Sequence, residues 1–141
     1  MAAIRGKDTK PELTLRHALR RAGATGYRLH RRDIPGRPDV AFIRWKVAVF
    51  VDGVFWHGHP DHWNPANASS EYWRSKIARN IERDRAADIA LSELGWAVVR
   101  LWDLDIQTNL TGCIRRVVEA LVQNGWRAGG AKLESFDQIA E

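Results

Sequence analysis

Between residues 47 and 102 the chain reads strand, long helix, strand, and this order restricts the fold more than any other feature. Val47 to Val51 is a short apolar run rich in β-branched residues, suited to a pleated surface. A helix opened by Ser69 or Ser70 carries Trp73, Ile77, Ile81, Ala87, Leu91 and Leu94 as its apolar stripe, and Gly95 ends it. Ala97 to Trp102 is a second apolar strand, too uniform to be half exposed. Two strands joined through one helix predict a right-handed crossover with parallel pairing. Val40 to Ile43 is a further strand, and its tight Arg44-Trp45-Lys46 connection to Val47 predicts an antiparallel hairpin. The expected fold class is therefore α/β, with a mixed sheet sandwiched by helices.

The flanks complete this reading. Asp8 or Thr9 can cap a helix, with Pro11 in its first turn and Glu12 near the positive end of the dipole. Leu15, Leu19 and Ala22 share one face of that helix, and Gly23 stops it. Tyr27 to His30 is a short extended stretch, and a last helix runs from Leu110 to Gln123. At 141 residues the chain is expected to be one domain over 1–141. Residues 1–8 are expected to form a basic arm, and residues from about 126 to 141 a weakly structured tail.

Composition narrows the function. Residues 1–33 hold nine Lys/Arg against three Asp/Glu, and the whole chain has a net charge of +5, so an anionic partner is favoured. Cys113 is the single cysteine, which excludes an internal disulfide and a Cys-rich zinc knuckle. No apolar run reaches 18 residues and no signal-peptide pattern opens the chain. A soluble, cytoplasmic protein is expected.

The chemistry concentrates in two short segments. Pro35-Gly36-Arg37-Pro38-Asp39 is a turn that delivers a carboxylate to the start of one strand; Asp52-Gly53 ends the next strand with a second acid. Antiparallel pairing sets the start of one strand beside the end of the other, so Asp39 and Asp52 can converge. Two acids with a nearby histidine can hold a divalent ion and activate water. Taken alone, Asp39 is more often a turn residue capping its own backbone, and its pairing with Asp52 raises the functional reading. His57, His59 and His62 lie within six residues, beside Trp56, and His57 is the candidate general base. On the long helix, Lys76, Asn80, Arg83 and Ala87 share a face; this is either a solvated face or a phosphate contact.

Together these residues resemble the very-short-patch DNA mismatch endonucleases, within the PD-(D/E)xK restriction-endonuclease-like superfamily. The matching residues are Ile4-Arg5-Gly6-Lys7-Asp8-Thr9 with Glu12, Leu29 through Asp39, and Val49-Phe50-Val51-Asp52-Gly53 with Phe55-Trp56-His57-Gly58. Lys76, Asn80, Arg83 and Asp84 follow, then Gly95-Trp96 and Trp102. The resemblance implies a three-layer α/β/α core and a Mg²⁺-dependent endonuclease. Such an enzyme would nick one strand beside a T:G mismatch in very short patch repair. It implies that Asp39 and the Val51 main-chain carbonyl ligate one or two Mg²⁺ ions, that His57 is the catalytic imidazole, and that Glu12 belongs to the active site. Asp52, where some members carry histidine, is an additional candidate ligand. Phe55 and Trp56, with Met1, would wedge into the base stack, while Arg5, Lys7, Lys76, Asn80 and Arg83 would grip DNA. The implied partner is double-stranded DNA, met by a monomer in the bacterial nucleoid, with mismatch-repair proteins as further contacts.

Two departures stand out. Where family members hold a structural zinc, this chain offers Val54, Pro60 or Asp61, and Leu104, with His59 alone retained. Zinc is therefore expected to be absent, with apolar packing around Val54 and Leu104 in its place. Members also carry about a dozen more N-terminal residues, so a DNA-gripping helix is expected to be missing. The alternatives are a nickase of the same fold from a restriction, phage-defence or mobile-element system, and a non-catalytic DNA-binding module.

Overall fold

Thr9 starts the first helix, and its cap fixes how the chain enters the sheet. The computed structural model describes residues 8–54 and 71–127. Helix α1 spans Lys10–Arg21, with Thr9 as N-cap and Glu12 closing a capping box. Strand β1 (Arg28–Leu29) follows, then β2 (Val40–Phe42), β3 (Val47–Asp52), helix α2 (Glu71–Glu93), β4 (Ala97–Trp102), α3 (Asp103–Thr108) and α4 (Leu110–Gln123). The four strands lie in sequence order. β1–β2 and β2–β3 are antiparallel, and β3–β4 is parallel. The hairpin and the parallel pair inferred from the sequence are both present. The separate helix α3, directly after β4, was not expected. The capping residues proposed for α2, Ser69 and Ser70, lie outside the described residues.

Strand alternation divides the core between two faces. Val40, Phe42, Val47, Val49, Val99 and Leu101 turn to one side, where Leu15, Leu19, Ile106, Ile114, Val117 and Leu121 from α1, α3 and α4 cover them. Ala41, Ala48 and Phe50 turn to the other side and meet Ile34 and Leu91, with Trp96 and Val98 beside them. Helices on both faces of a mixed sheet make a three-layer α/β/α arrangement.

On the second face two strand positions are alanines, Ala41 and Ala48. Gly36 lies close against this face: at φ +79 it sits where an added Cβ would come within 2.8 Å of the Ala87 Cβ and 3.1 Å of the Phe50 ring. The turn before Asp39 is thereby wedged between α2 and β3. Among the described residues, no helix is long and apolar enough to cross a membrane.

Candidate active site

Asp39 follows this pinned turn. Its Oδ2 accepts the Val51 N–H at 2.6 Å, which ties the start of β2 to the end of β3. An extended residue directs its N–H and C=O to the same edge, so the Val51 carbonyl faces the Asp39 side. Continuing the β2–β3 register sets Pro38 opposite Val51, and proline has no N–H to offer that carbonyl.

Glu12 reaches the same place from α1. It is 5% exposed although charged. Its Oε1 accepts the Asp8 N–H at 3.1 Å, and its Oε2 accepts the Thr9 hydroxyl at 2.9 Å. The residue that closes the capping box is therefore also the one that brings a carboxyl group to the site. Arg16, one turn on, donates to Asp8 at 2.7 Å and to Glu12 at 3.5 Å.

A third donor had no role in the sequence reading. His30 joins Glu12 and Asp39 in a group whose ligand atoms all lie within 4.8 Å of one another. Leu29 pairs with Val40 at the end of the β1–β2 ladder, and His30 and Asp39 are the residues just beyond that pair. That register was the available signal, but a two-residue strand leaves almost no periodicity to read. Burial, and then the Glu12 and Asp52 carboxylates, push the Asp39 carboxyl up to about 7 against the Val51 N–H bond. Two acids and an imidazole at this spacing, one acid held reluctant to ionise, fit a divalent cation, whose charge would reverse that shift.

Asp52 is used differently. It does lie close to Asp39, as expected, but both of its oxygens, expected as further metal ligands, accept from Arg100 Nη1 at 3.1 Å. Alternation along β3 turns it to the α2 face with Phe50. Arg100 also donates to Asp88 at 2.9 Å and to the Asp84 carbonyl at 3.3 Å, with its guanidinium 4.1 Å from the Phe50 ring centre. The sequence reading missed Arg100, whose only signal was a charge inside an apolar strand.

A cleft of about 1040 Å³ opens over these groups, lined by Glu12, Asp39, Val51 and Asp52, with Arg32, Arg37 and Arg83 adding positive charge. Of the helix residues expected to grip DNA, Arg83 lines this cleft and donates to Asn80 Oδ1 at 2.6 Å. The Lys76 ammonium lies 5.8 Å from the Trp73 ring centre. Met1, Arg5, Lys7, Phe55, Trp56, His57 and His59 lie outside the described residues. Around Val54 and Leu104 the link is polar: Asp103 Oδ1 accepts the Val54 N–H at 3.3 Å and the Leu104 N–H at 2.7 Å. This carboxylate bridges the two positions through their backbones.

Comparison with known proteins agrees with this architecture. The family profile described as DNA mismatch endonuclease Vsr matches residues 1–64. A type II nicking enzyme, V.NmeDIP from Neisseria meningitidis serogroup C, is 42% identical over 86% of this chain and 82% of its own length. The type II nicking enzyme V.NaeI from Lentzea aerocolonigenes is 40% identical over 86% of this chain and 74% of its own. The DNA mismatch endonuclease Vsr of Escherichia coli K12 is 36% identical over 73% of this chain and 66% of its own length. With a mixed sheet between helices and a cation-ready acid group at a cleft that also holds arginines, the chain belongs to the Vsr family of DNA-nicking endonucleases.

Proposed function

We propose that this chain is a Mg²⁺-dependent endonuclease that nicks one strand of double-stranded DNA beside a T:G mismatch, with one domain spanning residues 1–141. The observation that carries the reading is the convergence of Glu12 and Asp39 beside Val51 at the floor of the cleft. In this reading Asp39, the Val51 carbonyl and Glu12 hold the cation. When bound, it supplies Lewis-acid polarisation of the scissile phosphate and neutralises the leaving oxygen. Glu12, fixed by its helix cap, orients the attacking water. His57 accepts that water's proton, the role its match to the family's histidine implies. Arg32, Arg37 and Arg83 neutralise backbone phosphates, with Arg5, Lys7, Lys76 and Asn80 as further contacts. Phe55, Trp56 and Met1 probe the base stack, where unstacking costs least beside a mispair. Asp52 serves as a structural partner of Arg100.

The similar proteins named type II nicking enzymes favour a second reading, in which the same site nicks DNA within a restriction system without mismatch selectivity. One experiment separates the two. Duplexes labelled on each strand, carrying either T:G or a matched pair, are incubated with protein in Mg²⁺ or EDTA. Strand-specific, Mg²⁺-dependent nicking restricted to T:G is expected. Equal nicking of matched duplex moves the assignment to the second reading, and no nicking in either duplex overturns both.

A further inference from the structure

His30 lies at the active group without belonging to the chemistry described above. We infer that its imidazole is a nitrogen ligand of the same cation and biases the site toward Mn²⁺ over Mg²⁺. This rests on the proposed nuclease reading and adds to it the identity of the preferred ion.

Three observations carry the inference. The β1–β2 ladder ends with Leu29 paired to Val40, which leaves His30 and Asp39 as the next residues at that end. Its backbone is left-handed at φ 51, an uncommon conformation for a residue with a side chain. Its ring nitrogen lies within 4.8 Å of carboxylate oxygens of both Glu12 and Asp39, and 3.8 Å from Glu12 Oε1. The charges around it fit the same role. Asp8, Glu12 and Asp39 face one guanidinium, Arg16, whose Nη2 is 3.3 Å from His30 Nε2 and 2.7 Å from Asp8.

The choice of ion follows from ligand type. Mg²⁺ keeps oxygen donors and gains little from imidazole, whereas first-row transition ions gain more. A purely structural His30, bracing Asp8 at 3.4 Å, would carry no such preference.

Mn²⁺ and Mg²⁺ are titrated separately into the full chain by calorimetry, for the wild type, His30→Gln and Asp39→Asn. The wild type is expected to favour Mn²⁺. His30→Gln is expected to lower the Mn²⁺/Mg²⁺ affinity ratio about tenfold while leaving Mg²⁺ affinity within about threefold. Pulsed electron paramagnetic resonance of the Mn²⁺-loaded protein gives a second readout that needs no change at His30. A ¹⁴N coupling is expected in the wild type and in His57→Ala, and is expected to vanish in His30→Gln. An unchanged ratio, an equal loss of both affinities, or no nitrogen coupling in wild type and His57→Ala overturns the inference while leaving the nuclease reading intact. Binding of both ions that is indifferent to Asp39→Asn overturns the nuclease reading, and the inference with it.

Discussion

Asp39 and Asp52 sit at one end of the sheet, both largely buried, yet their surroundings differ. Asp52 is matched by Arg100, which also engages Asp84 and Asp88 and stacks on Phe50. Asp39 receives one backbone N–H, has Glu12 and His30 close by, and is pushed up to about 7. A buried carboxylate with its cation built in is structure. One whose surroundings leave it short of positive charge is prepared to take a cation. Pairing and shortage lie side by side, so burial of an acid alone does not identify a metal ligand here.

The sharpest way to break this contrast is to remove the unmatched acid. Asp39→Ala is expected to lower Mg²⁺-dependent nicking by at least about 10³-fold while DNA affinity changes little. Nicking assays alongside gel-shift binding check it, and retained nicking would defeat the metal role.

Removing the built-in cation acts on stability instead. Arg100→Ala leaves Asp52 and its two acidic neighbours without their guanidinium, and is expected to cost about 2–4 kcal/mol in urea unfolding. A loss under about 1 kcal/mol would mean that the Asp52 pair is dispensable.

A smaller effect of opposite sign is expected at Asp39. Its carboxyl holds a proton more tightly folded, at about 7, than at the ordinary value of 3.8. The folded state thus binds the extra proton between those values, and stability from this group, full below about pH 4, is lost as pH rises through 7. Asp39→Asn keeps an acceptor for the Val51 N–H without the charge. In EDTA it is expected to be more stable than wild type by about 2 kcal/mol at pH 8, and equal to it near pH 4. Thermal melts across that range test the sign.

The smallest change separates the two jobs of Glu12. Thr9→Ala removes the cap and is expected to cost about 1 kcal/mol. Glu12→Gln keeps the capping pattern and is expected to change stability by only a few tenths of a kcal/mol while abolishing tight cation binding. Chemical denaturation with parallel metal titration distinguishes them.

Local chemistry was legible in the chain itself. Alternation and turn residues announced the β2–β3 hairpin, the Thr9 cap and Glu12 announced α1, and the Pro-Gly-Arg-Pro-Asp turn marked Asp39. Each depends on neighbours a few residues apart, where sequence and geometry are nearly the same thing. The partners of the charges were not legible. Arg100 meets Asp52 across 48 positions, and His30 stands 18 beyond Glu12, just past a strand of two residues. Which acid gains a cation and which is left wanting one depends on strand register and on the face each side chain takes. Residue order supplied the acids; only the packed sheet decided between a salt bridge and a site for metal, because electrostatic environment is a property of distance in space and of the water excluded by folding.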